Sequence, residues 1–537
     1  FREKFGCRPR TAINVDSFGH DRGLVQLLLK SGYTSYLVGR PSLEVCKAPG
    51  PDFLWEGYDG TCIPVHLAAE GYNSGLGKVR RKLEYYRRQE GTDNSVLALW
   101  GIGNHGGGPS KEDLDEISLL QKEWEKEGVQ LIHSTPEMYF DSISGSELPL
   151  FDREIGPSMP GCYTSQVRIK QTHCLLENML YQTEKLLAAA EIFTGMEGDW
   201  ESLKQAEEIL LFNEFHDILP GTSVQRAEDA ALREMGGAIS LLEKEKTRAF
   251  MHLCRQTEKL EPGVIPIFAC NPHPWPVKAV LECEFQLQDQ GWDYTYTDFE
   301  VRYQGEVIPS QLEKEGSSIP LDWRKRLVFM ADIPPFATAA LYAYPKVLTG
   351  KPELPQTIES EIRLEGSGGE LIIDKKSGLI SSYRIDGISL FCPGAARLVV
   401  IADNEDPWGM TVNSFPEIIG EFTPASPEQA GKICGLDKAI DPVHIIEHGP
   451  VRTVVEAIFL YKRSAAIVHY KFQPITNKLD LEIHLQWNEP NHMVKLSLPT
   501  PWKNAECWGQ KMLGRARLYE NGTENVSQKW ISVCNDK

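Results

Sequence analysis

Two short segments of this 537-residue chain place histidine beside carboxylate at a turn. The first is Asp16-Ser17-Phe18-Gly19-His20-Asp21. The second is Asn213-Glu214-Phe215-His216-Asp217-Ile218-Leu219-Pro220-Gly221-Thr222-Ser223. A neutral imidazole and an ionised carboxylate are common zinc donors. Each group also has an ordinary structural use. An aspartate at a strand end commonly caps a helix or closes a turn. A histidine between Phe215 and Asp217 commonly packs against a carboxylate partner. Location favours chemistry, because both segments lie where a helix or strand meets a Gly- or Pro-bearing turn, and element ends present functional side chains. Two donors are still fewer than the three protein ligands of a usual catalytic zinc. The sequence offers no convincing third beside them.

A glycine-rich run, Gly103-Asn104-His105-Gly106-Gly107-Gly108, follows an apolar stretch. It lacks the Gly-Lys-Ser/Thr ending of a phosphate loop. The dinucleotide fingerprint and its acidic partner about 20 residues on are also missing. A backbone that approaches a ligand closely fits this composition better.

The elements that must hold these residues alternate at first. Thr11 to Asp16 is a β-rich run, Leu24 to Lys30 reads as helix closed by Ser31-Gly32, and Tyr33 to Val38 is the next strand. Ser95 to Trp100 and Val129 to His133 read as further strands around a helix from Lys111 to about Glu127. This alternation predicts a parallel sheet, with ligands at the carboxyl ends of its strands. Asp16 and the Asn104-His105 pair both fall at such ends. From Tyr163 to Leu260 apolar residues recur at three and four, as a three-helix bundle requires. After Pro262 short strands alternate with Pro and Gly turns, predicting a small β-domain and then a large β-sandwich. The expected fold is therefore multidomain α/β + α + β. The expected domains are 1–155 (the C-terminal part of an α/β catalytic domain), 156–261 (helical bundle), 262–350 (small β-domain) and 351–537 (an incomplete β-sandwich).

Composition narrows the partners. The chain carries 75 acidic and 56 basic side chains, a balance of −19. Such a surface is a poor match for a phosphate backbone, which argues against nucleic acid. No apolar run approaches the roughly 18 residues of a membrane span. A homo-oligomer is compatible with these features. The twelve cysteines show no CxxC pair and no repeated spacing. They read mostly as reduced, buried thiols in a cytoplasmic protein. The start at Phe1, with no leader, reads as an N-terminal truncation.

Several blocks together resemble glycoside hydrolase family 38, the zinc-dependent retaining α-mannosidases. They are Asn14 to His20, Ser31 to Tyr36 with Arg40-Pro41, Phe53 to Gly60, Tyr163 to Gln166, Phe215 to Ser223, and Asn271-Pro272 with Trp275-Pro276. Phe215 to Ser223 is the most specific, and the resemblance spans essentially the whole chain. It implies that Asp16 is both zinc ligand and nucleophile. It makes His216 a second zinc ligand, and Arg40 the residue that orients Asp16 or a sugar hydroxyl. It gives Asp217 and Tyr72 hydrogen bonds to the sugar.

Under that resemblance, a mannose-containing oligosaccharide or glycoconjugate is the substrate and one zinc ion the cofactor. The remaining ligands are expected in a segment before Phe1, and the sandwich is expected to continue beyond Lys537. The chain as it stands is then expected to bind zinc weakly and to be inactive. Many relatives carry their acid/base aspartate in the glycine-rich segment, where this chain has Asn104 and His105. His105, with an ordinary pKa near 6.5, becomes the candidate acid/base and Asn104 a substrate contact. Asp59 is the weaker alternative acid. Trp55, Trp100 and Trp200 could stack on sugar, or simply pack in the core. Two alternatives stand beside the mannosidase: a carbohydrate-binding homologue without turnover, and a metal-dependent polysaccharide deacetylase.

Overall fold

The computed structural model describes residues 2–68, 71–89, 91–103, 108–156, 158–255, 260–292, 295–317, 321–355, 359–403, 406, 408–410, 412 and 414–535. The first part is a five-stranded sheet with helices. Its strands are β1 (Thr11–Asn14), β2 (Ser35–Val38), β3 (Asp52–Glu56), β4 (Cys62–Leu67) and β5 (Leu150–Phe151), in the order β1-β2-β4-β3-β5. Its helices are α1 (Arg2–Phe5), α2 (Leu24–Ser31), α3 (Leu43–Cys46), α4 (Val79–Arg87), α5 (Lys111–Glu125) and α6 (Pro136–Ser142). Helix α2 stops at Gly32, whose φ of +88° lets its N–H close back on the carbonyls of Leu28 and Leu29. Ser110 caps α5 by accepting from the Asp113 N–H at 2.9 Å.

The sheet is mixed, not parallel. β1, β2 and β4 run parallel, but β3 is antiparallel to β4. Only Gly57–Thr61 joins β3 to β4, and a connection that short permits a hairpin but no crossover. The Gly57 N–H donates to the Thr61 carbonyl at 2.8 Å. Segments 96–100 and 129–133, expected as strands, form none. Leu97 and Leu99 pack with Leu37, Tyr139 and Phe140, while Val129 and Leu131 pack on α4 and α5. Their apolar pattern reflects burial without a ladder. Val25, Tyr36, Phe53, Trp55, Val65 and Leu67 form the sheet's core.

Three long helices follow: α7 (Val167–Thr194), α8 (Trp200–Asn213) and α9 (Gln225–Leu253). They bury Ile169, Leu176, Leu210, Met235 and Leu242 between them. Next come β6 (Ile265–Asn271), β7 (Val277–Gly291), β8 (Tyr296–Tyr303), β9 (Glu306–Ile308), β10 (Ser310–Glu313), β11 (Asp322–Ile333) and β12 (Ala337–Leu348). They make two antiparallel sheets around Phe299, Val301, Leu327, Phe329 and Leu341. Several of these strands run well past their apolar stretches. Among the described residues, the elements between 361 and 534 are strands joined by loops and one short helix, with their largest core around Ile373, Val455, Val468, Tyr470 and Phe472.

The last strands return to the first sheet. The Met512 N–H donates to Asp21 Oδ2 at 2.9 Å, and Lys511 Nζ lies 2.5 Å from Glu154 Oε1. All twelve cysteines are free, but only Cys46, Cys162 and Cys254 are buried. The expectation of mostly buried thiols is thus corrected: Cys62, Cys270, Cys283, Cys507 and Cys534 lie on strands and are not buried. Among the described residues no helix is long and apolar enough to cross a membrane.

Candidate active site

Strand register decides the first contact of the site. β1 and β2 are parallel neighbours, with Asn14 opposite Val38. Two residues further along each strand come Asp16 and Arg40, at the same carboxyl end. Arg40 Nε lies 2.8 Å from Asp16 Oδ1. Ser17 Oγ donates to Asn14 Oδ1 at 2.5 Å and holds the turn after β1. Behind this pair, His20 Nε2 lies 2.9 Å from the Arg40 carbonyl, and its Nδ1 is 2.7 Å from the Tyr36 hydroxyl. A carbonyl can only accept, so Nε2 carries the proton and Nδ1 accepts from Tyr36. Burial pushes the His20 pKa down to about 4, so the ring is neutral.

The third member comes from the turn after α8. Residues 214–223 fold back tightly, with the Leu219 N–H bonded to Phe215 O and the Gly221 N–H to Ile218 O. Gly221 has φ +77°, and a Cβ there would stand 2.7 Å from the Ser165 carbonyl oxygen. Lys170, on α7, fastens the turn by donating to Leu219 O at 3.0 Å and Ser165 O at 2.5 Å. This turn brings His216 Nε2 to 3.5 Å from Asp16 Oδ2 and 3.7 Å from Asp217 Oδ2. Asp217 Oδ1 accepts from Thr222 Oγ1 at 2.7 Å, which fixes that carboxylate. The Phe215 ring packs on His216 with centroids 4.2 Å apart. One carboxylate is therefore flanked by a guanidinium and an imidazole at the junction of sheet and bundle.

Residues 1–157 match the glycosyl hydrolases family 38 N-terminal domain, and residues 159–253 the alpha mannosidase middle domain. These two adjoining segments are similar to the glycosyl hydrolases of family 38. They match in the family's own order, N-terminal domain then middle domain. An alpha-mannosidase G from Dictyostelium discoideum is 24 % identical over 528 residues, covering 92 % of this chain and 46 % of that protein. Alpha-mannosidase 2C1 from Homo sapiens is 26 % identical over 51 % of this chain and 26 % of its own length. The chain thus spans less than half the length of the curated relatives it matches. The crystal structure of an alpha-mannosidase from Enterococcus faecalis V583 superposes with a TM-score of 0.75. That match has 14 % identity and covers 99 % of this chain and 68 % of that one, so it speaks for the fold.

The remaining expected residues fall in three places. Tyr72 is half-buried in the loop beyond the carboxyl end of β4. That loop is tied to the glycine-rich segment, because the Ser74 N–H donates to Gly101 O at 2.6 Å and Asn73 Nδ2 to Gly103 O at 2.9 Å. Asn104 and His105 lie outside the described residues. Asp59 is a turn residue in the β3–β4 hairpin, accepting from the Thr61 N–H and hydroxyl. The tryptophans do not gather at Asp16. Trp55 is fully buried and stacked on Tyr36 at 6.0 Å, Trp100 packs on the α4–α5 pair, and Trp200 begins α8. Trp55 and Trp100 thus lie in or against cores, whereas Trp200 is exposed.

A cavity of about 750 Å³ opens beside the pair, between the end of β1, α7, the His216 turn and residues 526–528. His173 and Glu214 face it, with Nε2 3.0 Å from Oε1. Sequence reading passed over this dyad. Glu214 stood in plain view two positions before His216, but His173, 41 residues upstream, carried no local signal.

Metal dependence, which the family implies, can be tested on the donors. Ligand atoms of a tetrahedral zinc with bonds of about 2.1 Å stand about 3.4 Å apart. The 3.5 Å between Asp16 Oδ2 and His216 Nε2 matches that spacing. Asp16 Oδ1 is buried and faces the Arg40 guanidinium at 2.8 Å, which leaves Oδ2 on the His216 side. The pair therefore fits two of the three or four ligands zinc needs.

Proposed function

We propose that the full-length protein hydrolyses terminal α-mannosides of oligosaccharides or glycoconjugates with retention of configuration. The observation that carries the proposal is the Asp16 carboxylate held between Arg40 and His216 at the carboxyl ends of parallel strands. In the first step an Asp16 oxygen bonds to the anomeric carbon as the bond to the leaving oxygen breaks. A general acid gives that oxygen its proton. In the second step water attacks the same carbon, the Asp16 ester bond breaks, and the water's proton returns to the now basic partner. His105 is the proposed acid/base, on the glycine-rich segment tied to the Tyr72 loop. Arg40 aims the Asp16 carboxylate. Asp217, Tyr72 and Asn104 are the proposed hydrogen-bond partners of the sugar. Zinc held by Asp16 and His216 would supply a positive centre for neighbouring sugar hydroxyls. Free cysteines throughout support a reducing, cytoplasmic setting.

The test is release of an aryl α-mannoside by the wild-type protein and by Asp16→Asn, with and without chelator. Loss of turnover in both treatments, and a trapped glycosyl ester at Asp16 with a fluorinated mannoside, is the expected result. Mannoside bound tightly but never cleaved, with Asp16→Asn binding equally well, would instead identify a binding-only homologue. The absence of a carboxylic acid at Asn104 and His105 favours that second reading.

A further inference from the structure

The sandwich carries a second grouping of histidine and carboxylate, independent of the Asp16 site and of the function proposed for it. Four antiparallel strands, Val443–Glu447, Thr453–Tyr461, Ser464–Gln473 and Lys478–Gln486, lie side by side. Their register sets His444 opposite Glu456, Glu456 opposite His469, and His469 opposite Glu482. His484 is two residues beyond Glu482, so it shares that face. The intervening residues Val455, Ala457, Val468 and Tyr470 point the other way, into the sandwich core. A single polar row thus crosses the outer face of the sheet.

Within that row, His469, Glu482 and His484 each offer one ligand atom, and the three atoms lie within 4.8 Å of one another. The His469 and His484 rings are 5.6 Å apart. Neighbours hold the three in place. Glu456 Oε2 is 2.9 Å from His469 Nε2, the kind of outer carboxylate that orients a ligating imidazole. The Glu482 oxygens are divided: Oε2 pairs with the Lys471 ammonium, and Oε1 lies 2.9 Å from His484 Nε2. Two imidazoles and one singly available carboxylate oxygen are a zinc-type donor set. The His469, Glu482 and His484 side chains are 19 %, 43 % and 58 % exposed, so an ion can reach them from solvent.

We propose that His469, Glu482 and His484 form a divalent-metal site of zinc type on the outer face of the sandwich, with Glu456 as the residue that positions His469. Its coordination is open on the solvent side.

The test is a zinc titration of the full chain carrying Asp16→Asn and His216→Asn, which removes the other donor pair, against a competing chromophoric chelator at about pH 7. One equivalent is expected to bind, with a zinc-dependent rise in Tm. His484→Ala, at an exposed position where truncation leaves the core intact, should weaken binding by more than about tenfold and abolish the Tm rise. Glu456→Gln should weaken it by about 10–100-fold. Zinc bound equally well by His484→Ala and its parent, or no zinc bound by either, overturns the proposal and leaves the row a hydrogen-bonded ladder.

Discussion

Arg40 Nε stands 2.8 Å from Asp16 Oδ1, and each residue lies two positions beyond the paired Asn14 and Val38 of adjacent parallel strands. The contact is thus a consequence of register. The Arg40 carbonyl is fixed separately by His20 Nε2, so backbone and side chain of this arginine are both located before any substrate arrives.

Arg40→Lys keeps the charge but loses the planar guanidinium. The Asp16 carboxylate then loses its aim, and a misplacement of about 1 Å costs about 100-fold in rate. Steady-state kinetics on an aryl α-mannoside should show that loss in kcat. Unchanged kcat would separate Arg40 from the reaction.

The His216 turn depends on Gly221. Gly221→Ala sets a Cβ 2.7 Å from a backbone oxygen at a φ of +77°. Such strain costs about 1–3 kcal/mol. The variant should melt earlier and lose mannosidase turnover, while circular dichroism keeps the signal of α7, α8 and α9. A variant with the parental Tm would show that the turn can form without glycine.

His20 ties stability to pH. Its pKa is depressed from an ordinary 6.5 to about 4, first by burial, with the bond to the Arg40 carbonyl opposing. Between these values the unfolded chain binds the proton and the folded one does not. Stability contributed by this residue is therefore full above about pH 6.5 and lost as pH falls towards 4, by about 3 kcal/mol in all. His20→Gln, which cannot titrate, should be less stable at neutral pH yet show a shallower acid slope. Parallel denaturation curves for the two proteins across that window would refute the assignment.

Between β10 and the sandwich lies a buried ion pair. Arg452 Nε and Nη2 donate to the two oxygens of Glu313 at 2.7 and 2.5 Å, and Nη1 lies 2.7 Å from Glu282. Arg452→Met leaves the Glu313 carboxylate buried without its guanidinium, at a cost of about 3–5 kcal/mol. Adding Glu313→Leu should recover much of the loss in urea unfolding. No recovery would mean the arginine acts through packing alone.

The sequence by itself determined what is local. The period of its apolar residues marked β1, α2, β2 and the three long helices. The wording around Asp16 and His216 marked both as candidates, since a strand end and a tight Pro-Gly turn are written within a few residues. Only the tertiary structure decided which of these residues meet. Asp16 and His216 are 200 positions apart, and their 3.5 Å contact depends on how the bundle seats against the sheet. The mixed order of the sheet was hidden too, because an apolar strand reads alike in either direction. So was the absence of strands at 96–100 and 129–133, where burial imitates a ladder. The same holds for His173 with Glu214, and for His469 with Glu482 and His484. Alternation along each strand shows which residues share a face, but the register between strands is set by hydrogen bonding and packing across the whole sheet.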